Sequence, residues 1–204
     1  MNPKIAEVTQ RIIERSKETR KAYLEKIEEA RRQGPHRGVL SCGNLAHGFA
    51  ACGTSEKSDL RSMTKANVAI VSAYNDMLSA HQPYETYPAL IKDAVKEVGS
   101  VAQFAGGVPA MCDGVTQGQS GMDLSLMSRD NIAQGAAIAL SHNMFDSTLM
   151  LGICDKIVSW STNGGTYLWS PTNSICASRP NAIGFTKQRE SAGSPRICRR
   201  QSRP

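Results

Sequence analysis

The stretch Leu149-Met150-Leu151-Gly152-Ile153-Cys154-Asp155-Lys156-Ile157-Val158 begins as an apolar run and ends with a thiol, a carboxylate and an amine in succession. A short apolar run with β-branched residues predicts a buried strand. In open α/β sheets, ligands bind beyond the carboxyl ends of the strands. Cys154, Asp155 and Lys156 are therefore candidate site residues. The alternative from these residues alone is a cysteine that packs as a small apolar side chain, followed by a solvated turn.

Two earlier segments repeat this pattern. Apolar runs at 68–71 and 101–104 each predict a strand that leads into a polar or glycine-rich segment. Between the strands, apolar residues at helical spacing predict amphipathic helices over 87–98 and 132–140, the second with Ser128 as its N-cap. Alternating strands and helices predict an α/β fold, with a parallel sheet flanked by helices.

An aspartate follows each predicted strand, at Asp76, Asp113 and Asp155. The carboxyl ends of parallel strands share one edge of a sheet, so these carboxylates are expected to converge there and to suit a hard cation such as Mg²⁺. Cys112 and Cys154 stand next to two of them, and thiolates favour softer centres, including iron–sulfur clusters. The alternative is that the aspartates only cap the helices that follow.

The chain ahead of the sheet divides into two parts. Asn2 and Pro3 predict the start of a helix with Asn2 as its N-cap, and Gly34-Pro35 predicts its end, so residues 1–34 form an N-terminal helix. Residues 36–54 are rich in glycine and are expected to form a connection made of tight turns. In that connection Asn44 and His47 either bind a ligand or cap turns.

Bulk properties narrow the function classes. The 204-residue chain has no apolar stretch near the ~20 residues that span a bilayer, and no charged-then-apolar leader follows Met1, so we expect a cytoplasmic protein without a membrane partner. The net charge of +6 lies in the last quarter: residues 159–204 carry seven basic residues and one acidic residue, while the other 17 basic and 17 acidic residues balance. A basic tail that binds RNA on a non-catalytic protein is the alternative of another class.

Four motifs in order carry a resemblance to a known family. They are 75–85 (NDMLSAHQPYE), 105–119 (AGGVPAMCDGVTQGQ), 140–146 (LSHNMFD) and 152–158 (GICDKIV). Together they resemble the dihydroxy-acid and 6-phosphogluconate dehydratases, and 41–52 (SCGNLAHGFAAC) adds a likeness to the phosphogluconate branch. The resemblance covers residues 1–158, so 35–158 is read as a truncated piece of the catalytic α/β domain.

The resemblance implies a hydro-lyase. The phosphogluconate branch converts 6-phospho-D-gluconate to 2-dehydro-3-deoxy-6-phospho-D-gluconate in the Entner–Doudoroff pathway, so a sugar-acid phosphate is the expected substrate. By resemblance, Cys154 ligates an iron–sulfur cluster, of the 4Fe–4S rather than the 2Fe–2S type, and Asp113 and Asp155 coordinate Mg²⁺. Lys156 takes the position that dihydroxy-acid relatives carbamylate, so Lys156 and Asp155 are the candidate catalytic residues. Another dihydroxy-acid or sugar-acid dehydratase of the same family is the alternative.

Further expectations also follow from the family. Asn75, Asp76 and His81 are candidate substrate-binding residues, and the intact family suggests a homodimer without a nucleic-acid partner. Dihydroxy-acid relatives carry a cluster cysteine where this chain has Ala80, which favours the phosphogluconate branch.

The chain departs from the family after Val158. The family continues with Pro-Gly, whereas this chain continues Ser159-Trp160-Ser161 into a segment rich in Ser, Arg and Pro, which by composition is a disordered C-terminal tail. Suitable codons can be chosen for residues 159–204, and the reading frame can then be shifted by one nucleotide. The shifted frame can encode PGLLMGALTCGHLP, followed by further sequence that resembles the family. The hypothesis is a one-base insertion near the codon for Val158, so that 159–204 is out of frame and the chain as written is inactive.

Overall fold

A parallel sheet forms the centre of the structure. The computed structural model describes residues 2–154 and 156–157, and the backbone alone of 175–178. The sheet has the order β2-β1-β3-β4, with strands β1 (Asn67–Ser72), β2 (Val101–Gly107), β3 (Ser147–Leu151) and β4 (Ile175–Ser178). β1 pairs in parallel with β2 and β3, and β3 pairs in parallel with β4. The predicted α/β fold with a parallel sheet is confirmed.

Helices lie ahead of the sheet and between its strands. They are α1 (Pro3–Arg32), α2 (Cys42–Ala50), α3 (Thr54–Arg61), α4 (Tyr87–Glu97), α5 (Asp113–Thr116) and α6 (Leu124–Leu140), with single 3-10 turns at His36–Val39, Gln82–Glu85 and Ser120–Asp123. In the part of the chain that the structure describes, no helix is both long enough and apolar enough to cross a membrane.

The N-terminal helix is confirmed. The Asn2 side chain accepts a hydrogen bond from the Lys4 backbone N–H at 2.9 Å, Pro3 begins the helix, and the helix ends just before Gly34. Pro at the first helical position loses no hydrogen bond, because that N–H has no partner inside the helix. None of the residues of α1 is buried.

The expected connection over 36–54 is wrong in its local structure. It contains α2 and the start of α3, so Asn44 and His47 lie on a helix, and both are exposed. Ser41 caps α2 by accepting the Asn44 backbone N–H at 3.3 Å. Phe49 is buried, which shows why the helix forms despite its glycines: one face packs on the core.

Two element boundaries also differ from the sequence-based expectation. Helix α6 begins at Leu124 rather than at Ser128, whose hydroxyl donates to the Ser125 backbone carbonyl at 2.6 Å inside the helix. Strand β3 covers Ser147–Leu151 rather than 149–153, so it ends three residues before Cys154. Apolar runs do not mark strand ends, because residues beyond the ladder can also be buried.

Helices cover both faces of the sheet. On one face, Ala69, Val71 and Met150 pack in a cluster with Leu60 of α3 and Ile132 of α6. On the other face, Val68, Ile70 and Leu151 pack with Tyr84 and with Val95 of α4. Burial on both faces explains why β1 is a continuous apolar run without alternation.

Strand β4 belongs to the segment that composition predicts to be disordered. The backbone of Ile175–Ser178 pairs with 148–151 of β3, so four residues of this segment take the place beside β3. The rest of 159–204 lies outside the described residues, so the prediction that this segment is disordered falls outside them too.

A buried ion pair fixes the amino ends of β1 and β3. The Arg37 side chain is fully buried; it donates to the backbone carbonyls of Leu60 and Lys65, at 3.0 and 2.8 Å, and its Nη1 lies 3.3 Å from Asp146 Oδ2. Asp146 also accepts the backbone N–H groups of His36 and Asn67, at 2.6 and 2.7 Å. Burial lowers the pKa of Arg37, and the Asp146 carboxylate opposes that shift.

We expect Asp146→Ala to lower the free energy of unfolding by about 3–5 kcal/mol, because it leaves a buried guanidinium without its counter-charge. Urea unfolding followed by circular dichroism measures the loss. The control is Glu7→Ala, which breaks the exposed Lys4–Glu7 pair of α1 and is expected to leave the free energy nearly unchanged. Equal effects of the two substitutions would contradict the role given to Asp146.

Candidate functional site

The candidate site begins where the chain leaves β3. Cys154 has a φ of +75°, in the left-handed region that residues with a Cβ avoid at a cost of about 1–2 kcal/mol. Just before it, Gly152 approaches Ile157 so closely that a Cβ on Gly152 would lie 3.0 Å from Ile157 Cγ2. The chain therefore turns sharply at the sheet edge and leaves Cys154 partly buried there. Such backbone outliers concentrate at functional sites.

His81 joins the carboxyl ends of β1 and β3. The ring is fully buried; Nδ1 lies 2.7 Å from the carbonyl oxygen of Ala73, the residue after β1, and Nε2 lies 3.6 Å from Cys154 Sγ. A carbonyl only accepts, so Nδ1 carries the hydrogen and Nε2 presents its lone pair to the thiol. Burial lowers the pKa of His81, and the backbone bond to Ala73 opposes that shift. A neutral ring in this tautomer can accept the Cys154 S–H through Nε2.

An ion pair connects the ends of β2 and β3. Lys156 Nζ contacts Asp113 Oδ2, and the two side chains are 12% and 32% exposed. The other carboxylate oxygen, Oδ1, accepts the hydroxyl of Ser125 at 2.7 Å. Asp113 is the first residue of α5 and Ser125 belongs to the first turn of α6, so three elements meet at this carboxylate.

The other two candidates lie in the loop after β1 and make local hydrogen bonds. Asn75 Oδ1 accepts the backbone N–H of Leu78 at 2.9 Å, which closes a turn. Asp76 is exposed and accepts the hydroxyl of Tyr74, a bond that raises the pKa of Tyr74 to about 12. The substrate-binding role of Asn75, Asp76 and His81 stays a prediction.

Three other thiols lie among the described side chains. Cys42 is exposed on α2. Cys52 is buried; Gln103 Nε2 lies 3.1 Å from its sulfur, and burial raises the pKa of this thiol. Cys112 stands at the N-cap position of α5, beside Asp113. Across 2–154 and 156–157, no three His, Cys, Asp or Glu side chains come together as a metal site.

The donor set fits a cluster better than it fits Mg²⁺. Cys154 offers a thiol at the sheet edge, and thiolates are the protein ligands that iron–sulfur clusters prefer. Asp113 is neutralised by the Lys156 ammonium, and an ammonium repels a divalent cation, so this pair does not fit Mg²⁺ while Lys156 is unmodified. Asp155, the other predicted Mg²⁺ ligand, lies outside the described residues.

Two contacts of this site escape sequence analysis. The spacing of 73 residues between His81 and Cys154 gives no sign that they meet, and Ser125 lies on a helix that was expected to start later. The register of parallel strands was the available signal, because it brings the residues after β1, β2 and β3 to one edge.

Comparison with known proteins assigns the family. Residues 65–175 match the family described as Dihydroxy-acid/6-phosphogluconate dehydratase N-terminal. The chain is 69% identical to the phosphogluconate dehydratase of Pseudomonas aeruginosa and 64% identical to that of Escherichia coli. Each alignment covers 158 residues, which are 78% of this chain and 26% of the relative. A dihydroxy-acid dehydratase of Akkermansia muciniphila is 27% identical over 164 residues, 80% of this chain and 26% of that protein.

The matches differ in sequence identity, but each covers a similar part of the relative. The chain spans about a quarter of the length of the curated relatives that it matches. Identity to proteins named phosphogluconate dehydratase is far higher than to the dihydroxy-acid dehydratase, in keeping with the branch that Ala80 favours. The family match covers more than half of the chain and includes β1, β2, β3 and the candidate site. The chain thus belongs to the dihydroxy-acid/6-phosphogluconate dehydratase family.

Proposed function

We propose that residues 1–158 are the N-terminal part of a phosphogluconate dehydratase, which removes water from 6-phospho-D-gluconate. The observation that carries the proposal is that Asp113, Cys154 and Lys156 lie at one edge of the sheet. Asp113 follows β2, and Cys154 and Lys156 follow β3, and both strands run parallel to β1. High identity to proteins named phosphogluconate dehydratase supports this substrate over a branched dihydroxy acid. The same comparisons favour an enzyme over the RNA-binding alternative.

The dehydration needs two events: C2 of the sugar acid loses a proton, and C3 loses its hydroxyl group. When bound, a cluster supplies a Lewis acid for the departing oxygen. In this chain, Cys154 would hold the cluster, as the resemblance implies. The buried His81 ring fixes the position of the Cys154 sulfur at the edge of the sheet. A 4Fe–4S cluster, the homodimer and a cytoplasmic location remain part of this proposal.

Lys156 and Asp113 form a charge switch in this proposal. As an ammonium, Lys156 neutralises Asp113, and its positive charge disfavours binding of Mg²⁺ beside it. Carbamylation, the modification that the resemblance implies, would replace the positive charge of Lys156 with a negative one and break the ion pair. Asp113, Asp155 and the carbamate would then offer oxygen ligands together. Without the modification, the same pair keeps a carboxylate and an ammonium available to hold or move a proton.

A chimera tests the proposed function. Residues 1–158 replace the corresponding part of the Pseudomonas aeruginosa phosphogluconate dehydratase, and formation of the keto acid from 6-phospho-D-gluconate is measured. We expect activity from the chimera and none from the 204-residue chain. Asp113→Asn is expected to reduce kcat/KM by about 100-fold or more, the size of loss that follows when one group that stabilises a transition state is removed.

The matched control for this assay is Asp93→Asn, an exposed carboxylate on α4, which is expected to leave the rate unchanged. A chimera that dehydrates only branched dihydroxy acids would support the alternative substrate class. An active chimera that tolerates Asp113→Asn would show that this carboxylate has no part in the reaction.

We also propose that 159–204 is translated out of frame. The aligned lengths of 154–158 residues in the phosphogluconate dehydratases equal, within four residues, the length of chain ahead of this segment. Resequencing the gene across the codons for 157–161 is expected to show one base more than the family frame needs. If no reading frame with the Pro-Gly continuation is present in that DNA, the proposal fails.

A further inference from the structure

Helix α6 carries an arginine on its core-facing stripe. Ser125, Ile132, Ala136 and Leu140 are each at most 1% exposed, and their spacing places them on one face. Arg129 follows Ser125 by four residues and precedes Ile132 by three, so it belongs to the same stripe. Its side chain is half-buried, unlike the other charged residue of α6, Asp130, which is exposed.

One buried nitrogen of the Arg129 guanidinium lacks an acceptor. Its Nε is buried and has no hydrogen-bond partner among the residues that the structure describes. A buried N–H without a partner costs free energy, and the cost is larger when the group is charged. The planar guanidinium has five N–H donors and no acceptor, so only an anion or another acceptor can satisfy it. The described residues supply no acceptor for this Nε–H, which leaves it available to an anion.

The residues of α6 on either side of Arg129 contact residues at the carboxyl edge of the sheet. One turn before it, Ser125 donates to Asp113, and Asp113 pairs with Lys156. After Arg129, Gly135 packs on Val108 just beyond β2, where a Cβ on Gly135 would lie 3.4 Å from Val108 Cγ1. Arg129 thus lies on the segment of α6 that follows the carboxyl edge of the sheet. Asp113 is already engaged by Lys156 and Ser125.

We propose that Arg129 binds an oxyanion group of the substrate at this site, a carboxylate or a phosphate. The inference deepens the proposed function and rests on it, because a sugar-acid phosphate carries one group of each kind. Guanidinium matches both groups with paired N–H donors. Arg129 stands on the buried stripe of α6 between Ser125 and Ile132, and its Nε–H is buried.

Nuclear magnetic resonance of the 204-residue chain tests this binding without a cluster or turnover. The Nε–Hε signal of Arg129 is assigned by its loss in Arg129→Lys and, independently, in Arg129→Gln. Inorganic phosphate and D-gluconate are then titrated separately, with sodium chloride at matched ionic strength as the control for screening. Arg11→Gln, which removes an exposed arginine of α1, is the matched control variant and should change none of the titrations.

A saturable shift of the Arg129 signal with either anion supports the proposal. A shift with phosphate alone identifies the phosphate group as the ligand, and a shift with gluconate alone identifies the carboxylate. The proposal is overturned if neither anion moves the signal, or if sodium chloride moves it equally. It is also overturned if Asp155→Asn moves the signal without added anion, because Asp155 would then be the acceptor. Failure here leaves the activity of the chimera untouched, so the two proposals fail separately.

Discussion

The parallel pairing of β1 with both β2 and β3 is the constraint on which the rest of the structure depends. The register places Val68 beside Ala102 and Ser147, so all three strands point the same way. Their carboxyl ends then meet at one edge, and the residues that follow them approach each other. His81 links the ends of β1 and β3, and the Asp113–Lys156 pair links the ends of β2 and β3. At the opposite edge, Arg37 and Asp146 hold the strand starts in place.

The two edges use charge in different ways. Arg37 and Asp146 are surrounded by backbone partners at the amino edge, so every charge there is satisfied within the fold. At the carboxyl edge, Arg129 has a buried donor without an acceptor in the described part of the chain. Cys154 adopts a backbone conformation that is costly for a residue with a Cβ. Buried side-chain oxygens without a partner also occur near the amino edge, on Asn67 and Thr148, and left-handed φ values occur ahead of β1 and β3 at Met63 and Asn143. What distinguishes the carboxyl edge is that its unpaired buried group is a cationic donor, which calls for an acceptor.

Sequence analysis predicted the fold class because the apolar runs of β1 and β3 and the stripe of α6 reflect burial directly. It predicted Cys154, Asp113 and Lys156 as candidate site residues because each follows a strand. In a parallel sheet, residues that follow neighbouring strands lie close together at one edge. It missed α2, since glycines and polar residues hide a helix whose stability comes from packing of Phe49. It gave no sign of the His81–Cys154 contact or of Arg129, because long-range contacts and orphaned donors exist only in three dimensions.

The proposed function depends on an iron–sulfur cluster that Cys154 would hold at the carboxyl edge of this sheet. Iron and sulfide content per chain, measured on the chimera purified without oxygen, tests it most directly, with Cys154→Ser compared with Cys42→Ser. The account predicts that Cys154→Ser loses the cluster and its visible absorption, while Cys42→Ser, which changes an exposed thiol on α2, retains both. Full iron and sulfide in Cys154→Ser would contradict the account.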